Sequence, residues 1–197
     1  MPVAAERKAL FARRDLVDKL LSIASKRGYS LYSLVNEIFE AYIKLAEVGV
    51  PLEALREELL AYNRLLSAGF AVIPREPLLE ALREKCGEEG FSKSMFEAGL
   101  RISKYYASLN AGGGLSLLLR DAERALSWIG EVSFEVKGEK VVKATIASTA
   151  APQNCARAFL ELVRGILEAQ GFKQVELVEA GALAIAVFEK QGGGSSG

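Results

Sequence analysis

Apolar residues recur along the chain with two different periods, and the change between them divides the sequence. From Leu16 to Leu109 they recur every three or four positions, which is the spacing of amphipathic helices. In residues 132–146 and 175–187 they recur mostly at every second position, which is typical of strands with one buried face. The pattern therefore predicts an α+β protein.

The N-terminal half opens with a short apolar segment, Lys8–Ala12, which is too short for an amphipathic helix and is interpreted as a strand. A helix follows and ends at Gly28, and Ser30 caps a second helix that runs to about Val48. This order over residues 7–43 resembles the Arc/MetJ-type ribbon-helix-helix family of DNA-binding proteins. The alternative is an ordinary helical hairpin with a strand-like leader.

The resemblance implies where DNA would be contacted. In that family two strands pair antiparallel and enter the major groove, while the start of the second helix offers free N–H groups to a phosphate. The candidate DNA-contacting residues are Arg7, Ala9 and Phe11 on the strand, Arg13 after it, and Ser30 and Leu31 at the helix start. Since Arg7 is the only polar group facing the groove, we expect phosphate contacts rather than base-specific readout.

A second copy of the pattern follows 62 positions later, where residues 71–108 align with 9–46 without a gap. The turn glycine and the capping serine recur as Gly90 and Ser92, and Ser92 and Lys93 become further candidates for phosphate contact. The predicted elements of this copy are a strand at Phe70–Pro74 and helices at Glu76–Glu88 and Ser92–Leu109. Joined by a helix at Leu52–Ser67, the two copies would pair their strands within one chain or exchange them with a partner. A chance similarity of two hairpins is the alternative.

The C-terminal half follows a break at Ala111–Gly114. A helix at Leu115–Ile129 precedes two β-hairpins with turns at Gly138 and Gly181, and the helix Cys155–Gln170 lies between the hairpins. The predicted fold class is thus α+β, a tandem ribbon-helix-helix pseudo-dimer followed by an α-ββαββ domain.

Residues 155–189 are similar to the 4-vinyl-reductase-type small-molecule-binding domain, with a cysteine that opens the helix, Gly165 within it and a closing strand pair. The resemblance implies a ligand site, for which Trp128, Cys155 and Phe159 are the candidates; the alternative is that these residues only fill the core. Residues 97–107 also resemble the first helix of that family, in which case the domain would begin earlier and share residues with the second copy.

The amino-acid composition limits the kinds of catalytic and metal-binding site that the chain can form. The 197-residue chain has no histidine, which excludes Ser-His and Cys-His nucleophile systems and His-ligated metal sites. Cys86 and Cys155 lack the spacing of metal ligands. No catalytic residue, metal or cofactor is assigned, although an enzyme that uses Cys155 or a carboxylate remains an alternative.

Charge is unevenly distributed. The net charge is zero, but residues 1–30 carry seven basic and three acidic side chains, a net charge of +4 on the segment that resembles a DNA reader. Without a long apolar run or an apolar leader, the chain is expected to be cytoplasmic and not to bind membranes. Only four Asn and four Gln are present, which suggests a thermophilic source.

The predicted organisation has five parts. These are a first ribbon-helix-helix unit at 1–48, a connecting helix at 49–68, a second unit at 69–110, a dimerisation or ligand-binding domain at 115–190, and a Gly- and Ser-rich linker at 191–197. The chain is interpreted as a homo-oligomeric transcriptional regulator that binds double-stranded DNA. The alternative is an assembly protein whose ribbon-helix-helix units serve protein–protein association.

Overall fold

The computed structural model describes residues 9, 11–109 and 114–191, which form α-helices and one four-stranded antiparallel sheet. The predicted α+β class is confirmed. The chain divides into two compact units, called here the N-terminal unit (Met1–Leu60) and the C-terminal unit (Ala61–Gly197). Among the described residues, no helix has both the length and the apolar composition needed to cross a membrane.

The N-terminal unit is helical. It contains α1 (Arg14–Arg27), α2 (Leu31–Glu47) and the first part of α3 (Leu52–Ser67). The turn between α1 and α2 is the predicted one, because Gly28 takes a left-handed conformation with φ 70° and Ser30 caps α2. The Ser30 Oγ accepts a hydrogen bond of 3.0 Å from the backbone N–H of Ser33.

The predicted first strand is not present among the described residues. Ala9 and residues 11–13 have no regular structure, and the Phe11 side chain is 99 % exposed. A strand needs a neighbouring strand for its hydrogen bonds, and the described part of the N-terminal unit contains none. Arg7, Lys8 and Leu10 lie outside the described residues.

The C-terminal unit combines helices with the sheet. Its elements after α3 are α4 (Arg75–Lys85), α5 (Glu89–Ser108), α6 (Gly114–Leu126), a 3-10 turn (Ser127–Ile129), β1 (Glu131–Lys137), β2 (Val141–Ala147), α7 (Cys155–Glu168), β3 (Phe172–Ala180) and β4 (Leu183–Lys190). The strand order is β1-β2-β4-β3, and every neighbouring pair is antiparallel. Both predicted hairpins are present, with α7 between them.

The second ribbon-helix-helix copy is wrong in its details. Phe70–Pro74 forms no strand, and α5 begins at Glu89, so Gly90 and Ser92 lie inside its first turn. The Ser92 backbone N–H bonds to the Glu88 carbonyl oxygen as part of the helix, so Ser92 does not cap it. Gly90 is the second residue of α5, where a glycine is accommodated at a cost of about 1 kcal/mol relative to alanine, so its recurrence does not mark the end of a helix.

Helices α5 and α7 pack closely because each has a glycine at the crossing. A Cβ atom on Gly99 would overlap the carbonyl oxygen of Leu162, and one on Gly165 would overlap the carbonyl oxygen of Phe96. The resulting core joins α4, α5 and α6 to α7 and the sheet. Residues 69–110 therefore belong to the same compact unit as 115–190, which differs from the predicted boundary.

Candidate ligand-binding cavity

A cavity of about 610 Å³ lies within the C-terminal unit. Its walls are formed by the irregular segment 70–73, by α4 and α5, by the end of α6 with the 3-10 turn, and by α7. This volume falls within the range of roughly 300–1,000 Å³ that is typical of small-molecule sites.

The α5 wall follows from the sequence of that helix. Phe91, Met95, Ala98 and Ile102 are spaced by four, three and four residues, so they share one face, and all four line the cavity. Sequence analysis predicted a helix at Ser92–Leu109 but did not identify this stripe, although its spacing places it on one face. The segment 70–73 was interpreted as a strand, and nothing in its composition indicates a cavity wall.

Two of the three predicted ligand-binding residues line the cavity. The Trp128 and Phe159 rings meet edge to face, with centroids 5.8 Å apart and planes at 89°. This geometry is favourable for aromatic pairs and presents two aromatic surfaces to the cavity. Whether they bind a ligand stays a prediction.

The third predicted residue, Cys155, does not line the apolar cavity. It is fully buried and forms a disulfide with Cys86, and the two Cα atoms are 4.8 Å apart. Because its sulfur is bonded to that of Cys86, Cys155 provides no free thiolate in this structure. The disulfide instead fixes the end of α4 to the start of α7, one turn after Leu82, which lines the cavity.

Arg75 is the only charged residue among those that line the apolar cavity. It is the first residue of α4, and it forms no ion pair within the part of the chain that the structure describes. Sequence reasoning missed it, because a single arginine at a helix start has no distinguishing pattern.

A second cavity of about 720 Å³ in the same unit is polar. Its arginines are already paired within the protein: Arg157 lies 2.8 Å from Glu179, and Arg164 lies 2.7 Å from Glu161. The charges of this cavity therefore satisfy one another to a large extent.

Ser92 and Lys93 line this polar cavity. Their predicted contact with a DNA phosphate assumed that a helix begins at Ser92. Since α5 begins at Glu89, the structure removes the basis of that assignment.

A buried carboxylate, Asp121, organises the helices next to the core. Arg64 donates two hydrogen bonds to it, of 2.7 and 3.0 Å, and the Tyr106 hydroxyl donates a third of 2.7 Å. The hydrogen bonds that Arg64 donates to Asp121 raise the pKa of Arg64, while burial and then the same carboxylate raise the pKa of Tyr106. Both oxygens of the Asp121 carboxylate thus accept hydrogen bonds, which link α3, α5 and α6.

The predicted DNA-contacting residues of the N-terminal unit are exposed, apart from the half-buried Leu31, or lie outside the described residues. Arg13 precedes α1, and its guanidinium lies 2.7 Å from the Asp15 carboxylate, which raises the pKa of Arg13 and lowers that of Asp15. Ser30 and Leu31 stand at the start of α2, as predicted. Ala9 and Phe11 are exposed, and Arg7 lies outside the described residues.

No cluster of three or more potential metal-ligating side chains occurs within residues 9, 11–109 and 114–191.

Comparison with known proteins gives little further information. No protein-family model and no curated protein matches the chain. A solved structure described as "Modulating Heme Redox Potential Through Protein-Induced Porphyrin Distortion" is 14 % identical, with 70 % of this chain and 89 % of that chain covered, at a TM-score of 0.33. A TM-score this low shows neither a shared fold nor a shared ligand.

Proposed function

We propose that the chain is a DNA-binding regulator whose C-terminal unit binds a small apolar molecule. The observation that carries this proposal is the cavity of about 610 Å³, with walls of aromatic and aliphatic side chains. Transfer of apolar surface from water into such a cavity is favourable by roughly 25 cal/mol per Å². A molecule of ten or so carbon atoms would bury enough surface there to bind.

The N-terminal unit supplies the proposed DNA contact. The α1–turn–α2 arrangement and the Ser30 cap are those of the motif that the sequence resembles, and the segment up to residue 30 carries a net charge of +4. The positive end of the α2 helix dipole lies at Ser30 and Leu31, and this is where a phosphate would be held. Non-specific phosphate contact remains the proposed mode of binding.

Self-association belongs to the same proposal. In α2 the side chains of Ile38, Phe39, Tyr42 and Ile43 are each more than 40 % exposed. Four exposed apolar side chains on one helix favour burial against a partner. We propose that the partner is a second copy of the chain, as ribbon-helix-helix proteins require.

The ligand proposal is tested by filling the cavity. Ala98→Phe introduces a ring into the α5 wall, whereas Ala107→Phe places the same ring on an exposed position of the same helix. Titration with 1-decanol, followed by the emission of Trp128, the only tryptophan in the chain, measures binding. We expect Ala98→Phe to abolish binding and Ala107→Phe to preserve it; equal affinities in both variants would contradict the cavity as the site.

The DNA proposal is tested by binding to random-sequence duplex as a function of salt. Each phosphate contact lowers the slope of log K against log salt by about 0.9, so several contacts give a steep dependence. Arg7→Ala with Arg13→Ala should remove binding, while Arg83→Ala with Arg101→Ala, two exposed arginines of the C-terminal unit, should not. No binding of the unaltered chain at about 50 mM salt would exclude this function.

The exposed apolar side chains of α2 also favour a second candidate function, in which the helical motif serves assembly alone. Ile43→Glu, at a position that is 54 % exposed, should then reduce the molar mass measured by light scattering. A chain that self-associates through α2 but does not bind DNA would be an assembly protein.

A further inference from the structure

We propose that the ligand of the apolar cavity is an amphipathic anion, an apolar molecule with a single carboxylate, and that Arg75 binds the carboxylate. This inference rests on the proposed ligand-binding function and specifies the chemistry of the ligand.

The first observation is that the cavity wall is almost entirely apolar. Every lining residue other than Arg75 is apolar or glycine, so the wall gives a charged or strongly polar ligand group no other side chain to pair with. Burying an unpaired carboxylate among such residues would cost several kcal/mol, as it does in any apolar environment. Arg75 is therefore the one lining side chain that can pair with the carboxylate of a bound ligand.

The second step is that Arg75 is available. Four arginines of the C-terminal unit have carboxylate partners, as Arg64 has Asp121 and Arg164 has Glu161, whereas Arg75, like the exposed Arg83 that does not line the cavity, has none among the described residues. Arg75 makes no ion pair in the described part of the chain, and its neighbour Glu76 does not pair with it. A planar guanidinium beside an apolar cavity is the geometry that binds a carboxylate with two parallel hydrogen bonds.

The same wall argues against a cationic ligand. No acidic side chain lines the cavity, so an apolar ammonium would meet Arg75 without a compensating negative charge. A neutral apolar molecule would gain the contacts with Phe91 and Phe159 but nothing from Arg75. The expected affinity for the cavity therefore decreases from anionic to neutral to cationic ligands.

Three probes with the same ten-carbon chain test this order: decanoate, 1-decanol and decyltrimethylammonium. Quenching or enhancement of Trp128 emission measures the affinity of each for the full chain. Because Arg75 is partly in solvent, we expect decanoate to bind about three- to tenfold more tightly than decanol. We expect that preference to decrease as ionic strength rises.

The matched variants are Arg75→Gln and Arg83→Gln. Both remove a charge from α4, but Arg83 does not line the cavity. Arg75→Gln should lower the affinity for decanoate to that for decanol and leave decanol binding unchanged, while Arg83→Gln should alter neither.

The outcomes separate the two proposals. If decanol and decanoate bind equally in the unaltered chain, or if Arg75→Gln and Arg83→Gln have the same effect, the assignment of Arg75 is overturned while ligand binding stands. If none of the three probes changes Trp128 emission at concentrations up to their solubility, the proposed ligand-binding function fails together with this inference.

Discussion

The two units contain helix pairs of similar sequence pattern that differ in what they bury. In the N-terminal unit, Ala24 and Leu34 are the only buried residues among those that the structure describes. In the C-terminal unit, α5 buries Ile102 and Tyr106 against a core that extends through α7 to the sheet. A local pattern that specifies a helix pair therefore does not decide whether the pair acquires a core of its own.

The difference has an energetic consequence. Each large apolar side chain that stays exposed forgoes roughly 1.5–3 kcal/mol of burial. The N-terminal unit leaves many of them exposed. Under the proposed self-association, its apparent stability should therefore depend on protein concentration. The C-terminal unit should unfold with a midpoint that does not depend on concentration.

The largest expected loss of stability comes from removing a buried carboxylate, and the matched comparison is the removal of an exposed one. Asp121→Ala leaves Arg64 and Tyr106 without their partner in a buried site, and should cost the C-terminal unit about 3–5 kcal/mol. Asp18→Ala removes a carboxylate that is 64 % exposed and 3.9 Å from Arg14, and should cost less than about 1 kcal/mol. Urea unfolding, followed by Trp128 emission for the C-terminal unit and by circular dichroism for all helices, measures both. Similar losses would contradict the comparison.

The disulfide gives the next largest effect, and both cysteines lie in the C-terminal unit. The bond joins residues separated by 69 positions, so Cys86→Ser with Cys155→Ser should destabilise the unit by about 2–4 kcal/mol. The unaltered chain unfolded in the presence of a dithiol reductant should match the double variant. A double variant with the unfolding midpoint of the oxidised chain would show that the bond contributes nothing to stability.

Two glycines of α5 test the close packing against α7. Gly99→Ala would push a methyl group into the backbone of Leu162, and should cost about 1–3 kcal/mol. Gly90→Ala meets no atom within 4 Å and, in a helix, should stabilise the protein by up to about 1 kcal/mol. Thermal unfolding of the two variants should therefore shift in opposite directions; a shift of the same sign in both would contradict the packing.

Elements with a strong periodic pattern were predictable from the sequence. The helix at Leu52–Ser67 has the predicted ends, Gly28 and Ser30 form the predicted turn and cap, and both C-terminal hairpins occur where alternation predicts them. In each case the responsible interactions are local, because they join residues only a few positions apart.

Features that depend on distant contacts could not be predicted in this way. The short apolar segment Phe70–Pro74 satisfies the pattern of a strand, but its neighbours in space are the helices around the cavity. Likewise, the disulfide partner of Cys155 depends on where α4 ends relative to α7. Trp128 and Phe159 were singled out because they are aromatic, whereas Arg75 became recognisable only when the rest of the cavity wall proved to be apolar.

The smallest expected effect concerns the hydroxyl of Tyr106. Tyr106→Phe removes one of three hydrogen bonds to Asp121, so it should cost about 1 kcal/mol at neutral pH. Burial raises the pKa of Tyr106 above its ordinary value of about 10, so the folded chain keeps the proton at a pH where the unfolded chain loses it. This contribution is present in full below about pH 10 and decreases as pH rises through and above that value.

The difference in unfolding free energy between the unaltered chain and Tyr106→Phe, measured at pH 7 and at successive values above pH 10, tests this sign. We expect the higher stability of the unaltered chain to decrease as pH rises. Ionisation of Tyr106 in the unfolded chain favours unfolding, and the Tyr106→Phe variant lacks the hydroxyl that ionises. An advantage that stays constant or grows above pH 10 would mean that Tyr106 ionises in the folded chain as readily as in the unfolded one. The hydrogen bond to Asp121 would then not hold its proton in the buried network.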